Sequence, residues 1–140
     1  MTNFSISNMI CYITNINGDI TNFIGDIGLE MILDSLFGSE NRERVLIFLK
    51  ARGEGYASEI AAFFNTDLYA IQNQLERLET GGVIVSRSVG RTVLYQFNPR
   101  YFLLKELEAL LEKALSYYPE DLREDLLMNR RRPRRRGKPE

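Results

Sequence analysis

The sequence predicts a mainly α fold with one small β-hairpin and extra helices at its C-terminal end. Three observations predict it. Apolar residues recur at helical spacing over 40–51, 58–64 and 68–80. A Gly81-Gly82 stop then precedes two runs rich in β-branched and aromatic residues, Val83-Ile84-Val85 and Thr92-Val93-Leu94-Tyr95-Gln96-Phe97. Beyond Asn98-Pro99, leucines return at helical spacing as far as Leu115. At 140 residues and 44% hydrophobic content, one compact domain with extensions is the expected organisation.

Residues 1–30 stand apart in composition. Isoleucines at 6, 10, 13, 16, 20, 24 and 27 recur every three or four positions, a helical or heptad-like period. The Asn, Thr and Gly between them are poor helix formers. The segment is therefore either an apolar-striped arm that pairs with a partner subunit or a poorly ordered extension, upstream of a start at Met31. Its composition favours the second. Residues 31–98 carry the sharper signals. Ser39 is a good N-cap, and Glu40 follows where an acid suits the helix dipole. Val45, Leu46, Phe48 and Leu49 make the stripe of a helix at 40–51, ended by Gly53 and Gly55. A helix at 58–64, a polar turn at Asn65-Thr66-Asp67 and a helix from Leu68 to Thr80 follow. The two strands after it are joined at Ser88-Val89-Gly90-Arg91.

Residues 99–128 read as C-terminal helices. Asn98 is the expected cap and Pro99 the first helical position of a helix reaching about 117. Pro119-Glu120-Asp121 opens a shorter helix to about Met128. The tail, 129–140, has nothing to bury and is expected to be disordered in isolation.

Helix, turn, helix and then a hairpin with arginines at its tip is the order of a winged helix-turn-helix, a module that usually reads duplex DNA. On the second helix Ile71, Leu75 and Leu78 share one face, while Tyr69, Gln72, Asn73, Glu76 and Thr80 lie on the other. Gln72 and Asn73 are the expected base readers, because a side-chain amide can bond adenine in two places. Tyr69 suits a thymine methyl or a phosphate, and Arg77 the backbone charge. Arg87 and Arg91 of the hairpin are expected to reach phosphates or the minor groove. Arg130, Arg131, Arg132, Arg134, Arg135, Arg136 and Lys138 of the tail would neutralise phosphates without sequence preference.

Several stretches also resemble ArsR-type winged helix-turn-helix regulators of prokaryotes. They are Leu36-Phe37-Gly38-Ser39-Glu40-Asn41-Arg42, Glu59-Ile60-Ala61, Leu75-Glu76-Arg77-Leu78-Glu79-Thr80-Gly81-Gly82-Val83-Ile84, and Gly90-Arg91 with Tyr95. The resemblance spans roughly 33–115 and implies a transcriptional regulator. It also implies that the helix after the wing pairs two subunits, through Leu103, Leu104, Leu107, Leu110, Leu111 and Leu115. Two-fold pairing would space two recognition helices one DNA turn apart. Such regulators sense metals through Cys and His clusters. This chain has one cysteine, Cys11, and no histidine, so neither a metal nor another cofactor is expected.

The same absences remove Ser-His and Cys-His nucleophile pairs, and no Gly-rich phosphate loop occurs, so an enzyme is not expected. A single thiol, no Lys or Arg before Arg42 and no long apolar run point to a cytoplasmic protein without a membrane partner. Net charge is −1, distributed as −5 over 1–41, −2 over 42–128 and +6 over 129–140. The low average therefore does not exclude nucleic acid. The expected function is a sequence-specific double-stranded DNA-binding regulator, homodimeric and without metal sensing. Its small-molecule effector is not legible. The competing expectation is an interaction adaptor with the same fold. A continuous positive stripe over Tyr69, Gln72, Arg77 and Arg91 would favour DNA, and a neutral or acidic one the adaptor.

Overall fold

The computed structural model describes residues 31–128. Expectations about the isoleucine-striped 1–30 segment and the arginine-rich tail lie outside the described residues. The elements run α1 (Asp34–Phe37), α2 (Glu40–Arg52), β1 (Glu54–Tyr56), α3 (Ala57–Phe63), α4 (Leu68–Thr80), β2 (Ile84–Val89), β3 (Thr92–Phe97), α5 (Leu104–Leu115) and α6 (Glu120–Leu127). The architecture is the winged helix that the sequence predicts: mostly helical, with one antiparallel sheet.

Helix α2 is the axis of the core. Ser39 caps it as expected, its hydroxyl accepting from the Arg42 amide. Its middle is buried on every side, because Val45, Leu46, Ile47, Phe48 and Leu49 are all inaccessible. A helix apolar all round belongs inside a fold rather than on its surface. Helices α4, α5 and α6 all pack against it. Leu111, Ala114, Tyr118 and Leu126 join α2 in one continuous core, so residues 99–128 share the interior of 31–98.

The sheet has three strands in the order β1-β3-β2 rather than two. The expectation that Gly53 and Gly55 both end the helix is corrected here. Gly53 alone caps α2, at φ +81°, whereas Gly55 sits in β1 opposite Tyr95. Three residues are too few to show a period of two, and β1 exists only through its distant partner β3. Gly55 is required by packing, since a Cβ there would lie 2.7 Å from the Phe48 ring.

Strand β2 runs to Val89, longer than the expected Val83-Ile84-Val85, and turns on Gly90 at φ +64°. The helix expected from Pro99 begins only at Leu104. Asn98 closes a turn instead. Its side-chain oxygen accepts from the Arg100 amide (3.0 Å) while its Nδ2 donates to the Gly82 carbonyl (2.8 Å). That second bond ties the strand exit to the end of α4 and leaves 99–103 as the corner the chain must turn.

One buried carboxylate joins three parts of the fold. Glu43 of α2 is fully inaccessible. It accepts from the Leu33 amide at 2.7 Å and from the Tyr118 hydroxyl in a short hydrogen bond. Burial pushes the Glu43 carboxyl above its ordinary value despite the hydrogen bonds it accepts. Burial, and then the adjacent carboxylate, push the Tyr118 phenol up as well.

Candidate nucleic-acid interface

The turn between α3 and α4 sets the angle of the exposed helix. Asn65 takes a left-handed conformation at φ +49°, which Asn tolerates better than most residues. The Thr66 amide then donates to the Ala61 carbonyl at 2.9 Å. Asp67 caps α4, its carboxylate accepting from the Ala70 amide. Helix α4 is held down by Ile71, Leu75 and Leu78. Arg42 also anchors it, with Nε donating to the Gln74 side chain (3.1 Å) and Nη1 to the Phe37 carbonyl (3.0 Å).

The outer face of α4 carries the expected residues. Tyr69 is 68% exposed, Gln72 is exposed and Asn73 half-buried. Facing residues of an antiparallel pair share one side of the sheet. Ser86 and Tyr95 face each other on the side turned to α4, where the Ser86 hydroxyl donates to the Glu79 carboxylate in a short hydrogen bond. Partial burial, followed by the Glu79 and Glu76 carboxylates, raises the Tyr95 phenol above its ordinary value.

Between the N-terminal end of α4 and β3 lies an open cleft of about 260 Å³, and both Gln72 and Arg91 line it. Tyr95, expected beside Gly90-Arg91, lines it too, together with Tyr56, Ser58, Leu68 and Val93, for which no role is expected from sequence. Val93 is recoverable afterwards from strand alternation, because it is one step out of phase with buried Leu94. Leu68 carried no signal, since a leucine opening a helix reads as core.

Of the six expected contacts only Gln72 and Arg91 line the cleft; Tyr69, Asn73, Arg77 and Arg87 do not. Arg87 pairs across the ladder with Leu94, on the sheet side turned away from α4, and its Nη2 lies 3.0 Å from the Glu54 carboxylate. Arg77, five residues beyond Gln72, is turned about 140° from it around the helix and occupies the opposite flank. Glu76 stands exposed between them. The positive stripe over Tyr69, Gln72, Arg77 and Arg91 is thus interrupted at Glu76. The seven basic tail residues lie outside the described residues.

The leucines expected to pair subunits divide. Leu111 is fully buried against the protomer's own core, and Leu107, Leu110 and Leu115 pack partly on it. Leu104 is half-buried, while Leu103 is 44% and the neighbouring Phe102 83% exposed. The available apolar surface here is therefore the corner just before α5, at Phe102 and Leu103, rather than the length of the helix. Among the described residues no group of His, Cys, Asp and Glu side chains is arranged to hold a metal ion. No helix among them is long and apolar enough to cross a membrane.

The fold and the cleft together define a winged-helix protein with an exposed second helix beside its wing. No protein-family model and no curated protein sequence matches the chain. Among solved structures it is similar to a doubly substituted ZitR from Lactococcus lactis in its apo form. The two are 19% identical over 76% of this chain and 86% of that one, with a TM-score of 0.44.

Proposed function

We propose that this protein is a sequence-specific regulator of transcription that binds double-stranded DNA as a homodimer and senses no metal. The observation that carries the reading is the exposed N-terminal half of α4, where Gln72 lies beside a cleft that Arg91 of the wing also lines. A helix held in this way can enter the major groove, with Gln72 and Asn73 reading base edges and Arg91 meeting the adjacent phosphates. Tyr69 adds a contact at the groove wall. Arg77 serves the backbone on the far flank, and the tail from Arg130 to Lys138 adds affinity without sequence preference. Arg87 would join only after leaving Glu54, an exposed pair whose loss costs less than about 1 kcal/mol. The exposed apolar corner before α5, Phe102 and Leu103, is the surface this reading offers to a second subunit.

Selection of bound duplexes from a random pool tests the reading, with a Gln72→Ala/Asn73→Ala variant beside the intact protein. An enriched motif that the variant loses is the expected result. No motif, or the same motif from both, overturns base reading. A second reading, an adaptor that binds a partner protein through the same fold, is favoured by one observation: the acids Glu76 and Glu79 along α4. It predicts no enriched motif and no salt-dependent affinity for duplex DNA.

A further inference from the structure

Leu68 is the first residue of α4, is 41% exposed and stands outside the hydrophobic core cluster of the described residues. It lines the same cleft as Gln72, four positions on. Residues at that spacing sit one above the other on a helix, with Cβ atoms ~5–6 Å apart. Val93, also 41% exposed, closes the cleft from the wing side. The cleft thus sets an apolar patch beside a side-chain amide, and Arg91 also lines it.

Only one base edge in the major groove offers an apolar group, the 5-methyl of thymine, and adenine offers the acceptor–donor pair that suits a glutamine amide. Stacked bases lie ~3.4 Å apart along each strand. A leucine and a glutamine ~5–6 Å apart on one helix face therefore span one base-pair step and no more than two.

The geometry points to Leu68 as a specificity-determining residue that reads a thymine 5-methyl next to the adenine bonded by Gln72. The preferred site of each protomer then contains an A·T step at the position facing the start of α4. This inference rests on the proposed DNA reading and deepens it. Leu68, rather than Tyr69, carries the methyl contact. Tyr69 projects from the outer face and does not line the cleft.

The test compares a duplex selected by the intact protein with copies in which single thymines are replaced by deoxyuridine, which removes the methyl and keeps every hydrogen-bonding group. One position is expected to lose about fourfold in affinity on replacement. That loss equals the ~0.8 kcal/mol of one buried methylene, at 1.4 kcal/mol per factor of ten. In Leu68→Ala the thymine-to-uracil ratio at that position is expected to fall to about one, while the ratios at other positions are unchanged. Binding with no thymine–uracil difference anywhere, or a difference that Leu68→Ala leaves intact, overturns the role of Leu68 and leaves DNA reading standing. Failure of the intact protein to select any duplex overturns both.

Discussion

Replacing Tyr118 with phenylalanine removes the one side-chain donor, among the described residues, to the buried Glu43 carboxylate and leaves the ring's packing in place. A hydrogen bond to a charged group contributes about 1.5–3 kcal/mol net, and the carboxylate left behind has no water to turn to. For a domain of about 100 residues that corresponds to a fall in Tm of roughly 6–20 °C. The loss should depend on pH, and the sign follows from the raised carboxyl. The folded protein holds the Glu43 proton more tightly than the unfolded chain, whose value is the ordinary 4.5. The contribution of this group to stability is therefore fully present below 4.5 and is lost as pH rises through the raised folded value. Without the Tyr118 hydroxyl the carboxyl rises further, so Tyr118→Phe should be most damaging at neutral pH and less so in mild acid. Glu43→Gln, which keeps an acceptor and removes the charge, should flatten this part of the pH profile. Urea unfolding of the three proteins across that range measures both effects. A Tyr118→Phe penalty below about 0.5 kcal/mol, or one equal at all pH values, would refute the account of this buried pair.

Four further outcomes follow from the packing. Gly55→Ala should destabilise by about 1–3 kcal/mol, because its Cβ meets the Phe48 ring at 2.7 Å inside a filled core; denaturant midpoints measure it. Arg52→Ala should cost a similar amount and loosen the end of α6 in hydrogen exchange. Arg52 bonds the Leu126 and Asp125 carbonyls, pairs with Glu59 at 2.9 Å and lies over the Phe48 ring. Leu103→Ser should weaken self-association in sedimentation while changing protomer stability by less than about 0.5 kcal/mol, as expected at an exposed position. Leu111→Ala should instead destabilise the protomer itself by ~2–5 kcal/mol, which thermal denaturation reads directly.

The local elements of this protein were legible in the sequence, because their causes are local. Ser39 and Asp67 cap the helices they precede, and Ile71, Leu75 and Leu78 hold one face of α4, since capping and helical period act within a turn or two. The order of helix, turn, helix and hairpin followed from them. Tertiary structure decided whatever depends on residues far apart in the chain. Strand β1 exists through pairing with β3, about 40 residues further on. Glu43 looks like a first-turn surface acid until Leu33 and Tyr118 close over it. Arg87 and Arg91 are near neighbours in sequence, yet the strand period turns Arg87 to Glu54 and leaves Arg91 at the cleft with Gln72. Leu68 and Leu111 read alike as apolar helix residues. One is left at the cleft and the other sealed in the core, because packing between elements, not residue type, decides which leucine meets solvent.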